Sequence, residues 1–239
     1  MTRMTIVAAR TLLAALGLAT FASVAHAQGA PNPEVEAIKA AMSQNAAAQR
    51  NYTWVETNAM AYKGEVKSTT TSACQYVAGS KKPQCTQTSA PPEAKKQRGP
   101  VRNSVKDSKV EELKTYMDSV KTLVAQYVPP QSSLIQAAQG RGDVATAPNP
   151  SAGTLNLTIN NYLQKGDAVI ITVNQATHQV AHVAVKTWLN DPSATVTLDV
   201  GFITLPNGVS FASSKVLTAT AKEVVVTITD ANFALAVAQ

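Results

Sequence analysis

The chain has 239 residues, with 21 lysines and arginines against 15 aspartates and glutamates, a formal charge of +6. Hydrophobic residues make up 45%, enough for a packed core, while charged residues make up only 15%. Ala, Thr, Val, Ser and Gln dominate the remainder, which argues against a coiled coil or a disordered chain and favours a β-rich exported protein.

The chain opens with the pattern of a secretory signal peptide. Arg3 and Arg10 give a positive start, residues 11–24 are apolar, and Ala25-His26-Ala27 is an A-x-A cleavage site before Gln28. The apolar run is shorter than the ~20 residues that span a bilayer. Cleavage after residue 27 is therefore expected, leaving 212 of the 239 residues as one exported domain, 28–239. The leader removes two arginines and no acid, so the mature charge falls to 19 against 15, or +4.

Residues 33–50 carry Val35, Ile38, Met42 and Ala46 at helical spacing. Residues 52–62 alternate as a strand, with Tyr52, Trp54, Met60 and Tyr62 on one face, and Lys63-Gly64 turns the chain. Strands at 65–76 and 83–88 follow. Between them lie the only cysteines, Cys74 and Cys85. Folding the chain at Gly79-Ser80 sets these two opposite each other. A non-hydrogen-bonded cross-strand pair brings Cα atoms to about 4.5 Å, within disulfide reach. In an exported protein they are expected to be joined.

A basic, Pro-rich loop is expected at 89–104. From Lys81 to Lys109 there are eight basic residues against Glu93 and Asp107. Lys95, Lys96, Arg98 and Arg102 are the candidate contact for an anionic surface. The segment lacks aromatic residues for base stacking, so nucleic acid is not expected as a partner. A helical excursion at 105–139 comes next. Leu113, Met117, Val120, Val124 and Tyr127 form one apolar stripe, Pro129-Pro130 stops the helix, and residues 132–139 suggest a second, shorter one. A loop is expected up to residue 152.

The final third reads as consecutive strands at short spacing: 155–160, 169–173, 183–189, 196–202, 211–220 and 223–229. The total is about eight or nine, the size at which open sheets curl. The expected fold is therefore α+β and β-dominant. It is a curved, open antiparallel sheet whose concave face is covered by the helices.

Four stretches carry a resemblance: NYTW (51–54), YKGEVKST (62–69), QYVPP (126–130) and NYLQKGDAVIITVNQATHQVAHVAVKTWL (161–189). With the order helix, Tyr-x-Trp strand, long meander and mid-chain helical excursion, the chain resembles uncharacterised exported bacterial proteins of the LolA-like half-barrel group. That group includes periplasmic lipoprotein carriers and their receptors. The resemblance implies a half-barrel and a lipid-sized cleft; it implies no site residues.

Catalytic motifs are not found. No G-x-S-x-G elbow, phosphate loop or dinucleotide fingerprint is present. His178 and His182 share strand parity, which puts them about 13 Å apart, too far for one metal ion. No metal or cofactor is called for. RGD at 141–143 reads as a chance match. The reading is a non-catalytic periplasmic or secreted protein that binds an apolar or amphipathic ligand, or a lipid-bearing partner, in a cleft. Tyr52, Trp54, Met60, Tyr62, Met117 and Val120 are the candidate lining. The alternative is an envelope interaction module that uses the basic loop and a sheet edge.

Overall fold

The computed structural model describes residues 33–77, 80, 82–90 and 100–236. The expected signal peptide (1–27) and Lys95, Lys96 and Arg98 lie outside the described residues. Three helices and ten strands are seen: α1 (Pro33–Gln49), β1 (Tyr52–Tyr62), β2 (Glu65–Gln75), β3 (Gln84–Gln87), α2 (Pro100–Val124), α3 (Ser132–Arg141), β4 (Val144–Asn149), β5 (Thr154–Asn160), β6 (Ala168–Asn174), β7 (Val180–Trp188), β8 (Thr195–Thr204), β9 (Ser210–Ala219) and β10 (Val224–Leu235).

All ten strands form one antiparallel sheet in the order β3-β2-β1-β10-β9-β8-β7-β6-β5-β4. The expected β-dominant α+β fold is present. The chain makes a three-stranded meander and crosses over, then makes a seven-stranded meander that returns its last strand to its first. The sheet stays open between β3 and β4. Bulges in β1, β6–β7 and β8–β9 bend it. The crossover is where α2 lies. Its 25 residues span about 37 Å, close to the ~43 Å width of ten strands. One long helix can therefore carry the chain from one edge towards the other.

Three expectations are corrected. The helical excursion begins at Pro100, not 105, so the last part of the expected 89–104 loop, including Arg102, is helical. Proline suits a first helical turn because no hydrogen bond needs its missing N–H. The excursion also ends later, at Arg141, where Gly142 takes the left-handed conformation (φ +78°) and closes the helix. The third correction is the tenth strand. The expected loop up to residue 152 contains β4, an edge strand in which Val144 alone is not exposed to water. Its Ala, Thr and Pro residues give little apolar alternation to read.

The helices sit on one face of the sheet, the inner face, over separate patches of core. Met117 and Val120 of α2 pack on Val196, Ala219 and Val224, with Met60, Tyr62 and Leu217 beside them. Tyr127 and α3's Ala138 pack on Ile159, Val169, Val183, Val185 and Val200. Ala48 of α1 packs on Tyr52, Val209 and Phe211. The face that α1 turns inward is not the expected Met42–Ala46 stripe. Met42 is 47% exposed, and polar Asn45 faces the sheet instead. Asn45 Nδ2 donates to Ser210 O at 2.8 Å, Ser210 N donates to Asn45 Oδ1 at 2.7 Å, and Gln49 Nε2 also reaches Ser210 O. Amide side chains thus pair the backbone at the start of β9, where a low-propensity apolar stripe had suggested packing.

The expected disulfide is present. Cys74 and Cys85 face each other across β2 and β3 with Cα atoms 4.1 Å apart. Cys74 lies on the inner face, opposite Trp54.

Candidate functional site

Two polar clusters stand out. The first is a lock on the turn between β5 and β6. Asp167 is 1% exposed. Its carboxylate accepts from the backbone N–H groups of Tyr162 (2.6 Å), Leu163 (3.0 Å) and Gln164 (2.9 Å), and from the Tyr127 hydroxyl (2.6 Å). The Tyr127 oxygen also lies 2.8 Å from Thr187 Oγ1, which Gln164 Nε2 reaches at 2.7 Å. Burial, then the bond to Asp167, pushes the Tyr127 phenol far above its ordinary pKa. Gly166 allows this turn. Its φ is +87°, and a Cβ there would meet the Trp188 ring at 3.4 Å. Every carboxylate and hydroxyl in the group is filled by the chain itself and closed to solvent. The cluster holds the fold rather than a substrate.

The second cluster lies on the inner face between the α1 and α2 patches. Strand alternation sends Trp54, Glu56, Asn58 and Met60 of β1 inward. It does the same for Val224, Val226, Ile228 and Asp230 of β10. The register then sets Glu56 opposite Asp230, and Lys215 opposite Ile228. Lys215 Nζ lies 2.6 Å from Asp230 Oδ2 and 3.9 Å from Glu56 Oε2. One ammonium thus faces two carboxylates. Asp230 is 8% exposed and its second oxygen, Oδ1, is buried with no hydrogen-bond partner among the described residues. Trp54, two residues before Glu56, is 7% exposed and its Nε1 is likewise unpaired. Aromatic rings adjoin: Trp54 lies 5.7 Å from Tyr76 and 6.3 Å from Phe211, which stacks on Phe233 at 4.3 Å. The Glu56 carboxylate and both disulfide sulphurs come within 4.8 Å of one another. The sulphurs are bonded to each other, so they are not thiolate ligands for a metal.

Burial pushes the Asp230 carboxyl above its ordinary value of 3.8, and the pairing with Lys215 offsets only part of that. The sign follows by proton linkage. A raised native pKa means the folded state holds the proton more tightly. That contribution to stability is complete below the ordinary pKa and is lost as pH rises through the raised one. Asp230→Asn removes this titration together with the partner of Lys215, so its melting temperature is expected to rise relative to the wild type as pH goes from 3 to 7. Thermal melts of both proteins across that range check this, and a difference that does not change with pH would sink it.

The sequence-derived lining residues do not form one wall. Met60, Tyr62, Met117 and Val120 pack together beneath α2, and Tyr52 packs beneath α1. Only Trp54 borders the charged strip. Arg102 lies in α2, and its side chain is outside the described residues. Two cavities lie elsewhere. One of about 230 Å³ lies between α1 and the turns holding Thr177, Gln179 and Asn207. Another of about 500 Å³ lies on α2's flank by Thr115, Ser119, Thr122 and Leu189.

The histidines do not share a strand face. His178 sits in the β6–β7 turn at φ +55°, and only His182 is on β7, where Nε2 lies 3.0 Å from Asp199. The RGD sequence is the end of α3, with Arg141 bonded to Asp143 at 2.8 Å. Sequence reasoning missed the set Glu56, Lys215 and Asp230. The signal was there in part: each is a charge at an inward position of a strand.

The protein is thus an open ten-stranded antiparallel sheet with a charged strip on its helix-bearing face. Compared with protein-family models, curated proteins and solved structures, the chain matches none. Among the described residues, no helix is long and apolar enough to cross a membrane.

Proposed function

We propose that this is an exported, non-catalytic binding protein of LolA-like type that holds an apolar or amphipathic ligand, or a lipid-bearing partner. The ligand lies on the inner sheet face between α1 and α2. The observation that carries this reading is the strip itself. Buried polar atoms are nearly always paired, yet Trp54 Nε1 and Asp230 Oδ1 are not, and the Trp54 ring adjoins Tyr76 and Phe211. Leaving such groups unpaired costs about 1–3 kcal/mol each. A bound molecule that supplied a donor to Asp230 Oδ1 would recover part of that cost. The half-buried Tyr76, Phe233 and Ile228 offer apolar surface around the strip. Export is supported by the leader pattern and by the disulfide, which persists in oxidising compartments.

The test is native mass spectrometry of the protein purified from a periplasm, before and after solvent extraction. The expected result is a complex of lipid-like excess mass that extraction removes, on a chain two hydrogens lighter than its reduced form. An apo mass that persists when lipid extract is added back would overturn the reading. The alternative, an interaction module that uses the basic loop and a sheet edge, rests on Lys95, Lys96 and Arg98, which lie outside the described residues, and on Arg102 in the first turn of α2.

A further inference from the structure

We infer that the head group bound at this strip is a cation, of the primary ammonium type, on an amphipathic molecule. The inference rests on the binding reading above and adds the sign of the charge. Three observations carry it. Glu56, Lys215 and Asp230 sum to one negative charge, so one further cation would neutralise them. The unpaired atom of that set, Asp230 Oδ1, is an acceptor, so its missing partner is a donor. Asp230 is more than nine-tenths buried, and an ionised carboxylate there gains most from a charged donor.

The geometry around it suits an ammonium. Glu56 is directly across the ladder from Asp230 and Lys215 reaches both, so the acceptor left for a second cation is Asp230 Oδ1. The faces of Tyr76 and Trp54 are of the kind that attract a cation. The same rings, with Phe233 and Ile228, offer apolar surface to an alkyl chain. An anionic head group would meet two carboxylates, and Lys215 is already engaged at 2.6 Å. The groups facing Asp230 are thus Lys215 from β9 and Glu56 from β1. Among the described residues, no other charged side chain lies within ion-pair distance of any of the three.

The experiment is calorimetric titration of the full purified protein at pH 7 with decylamine, decanoate and decanol, each below its micellar concentration. Decylamine is expected to bind saturably and at least tenfold more tightly than decanoate or decanol. Asp230→Asn should weaken decylamine binding about tenfold or more, the loss expected for a charge-assisted bond, while leaving decanol unchanged. Glu56→Gln, at a half-buried position that tolerates an amide, should weaken decylamine several-fold and serves if the first variant fails to fold. Equal binding of all three ligands, or decylamine binding indifferent to both substitutions, would overturn the cationic inference and leave the apolar-binding reading standing. Binding of none of the three would overturn both.

Discussion

Asp167→Ala is expected to destabilise the protein by about 3–5 kcal/mol, the largest effect of any single polar substitution in the fold. The carboxylate, itself 1% exposed, satisfies three consecutive backbone N–H groups and the Tyr127 hydroxyl. Alanine leaves three backbone N–H groups without their acceptor and the Tyr127 hydroxyl with Thr187 alone. The damage is not local to the turn. Tyr127 follows α2, and Tyr162, whose hydroxyl accepts from Gln131 N at 2.7 Å, leads to α3. The turn therefore fixes where both helices meet the sheet, and the tilted rings of Tyr127 and Tyr162 lie 5.4 Å apart in the same core. Urea denaturation should show a midpoint lowered by more than about 1 M. Tyr127→Phe removes one of the four donors and should cost only about 1–2 kcal/mol. If Asp167→Ala costs under about 1 kcal/mol, the carboxylate is not the organiser of this turn and the lock has been misread.

The second large effect concerns the attachment of α2. Val120 is fully buried against Val196, Ala219 and Val224. Val120→Asp would place a carboxylate against these apolar side chains. The cost of an unpaired buried charge exceeds what one helix face can return, roughly 4 kcal/mol or more. The expected outcome is release of α2 rather than collapse of the sheet, because the strands pair continuously with one another and need no helix for their ladders. Glu112, which bonds Lys222 in the turn before β10, is the other described polar tie along this helix, and at an exposed site such a pair adds little. Limited proteolysis should therefore begin to cut within 108–124 while strand signals in far-ultraviolet circular dichroism persist. A helix that stays as protected as in the wild type would show that α2 is held by another face. Release of α2 also removes one wall of the proposed ligand strip, so decylamine affinity should fall in the same variant.

Both predictions concern residues whose roles were unevenly visible before the fold was known. The α2 stripe of Leu113, Met117 and Val120 was legible because a 3.6-residue period of apolar side chains has one physical use in water. The disulfide was legible for a similar reason: two cysteines symmetric about a turn can only face each other in a hairpin. The long meander was legible from alternation and turn residues. Asp167 was visible only as an acid beside a strand, since nothing in QKGD says that the carboxylate folds back on the N–H groups of residues 162–164. The α1 face was misjudged because Met42 and Ala46 fit a stripe, whereas the docking force comes from amide side chains that bond one strand's backbone. β4 escaped because an edge strand need bury almost nothing.

Local chemistry in the sequence by itself determined the helix α2, the paired cysteines, the antiparallel strands and the export pattern. Each follows from periodicity or spacing within a few tens of residues. The candidate site was decided by tertiary structure alone. Glu56, Lys215 and Asp230 are separated by more than 150 residues at their extremes, and each was legible only as a charge at an inward position. Their meeting depends on β10 returning to pair with β1, and on the register that sets Glu56 against Asp230 rather than a residue to either side. A one-residue slip would turn each strand's side chains to the opposite face. That register is chosen by the summed burial of the whole sheet, a quantity no local stretch of sequence contains.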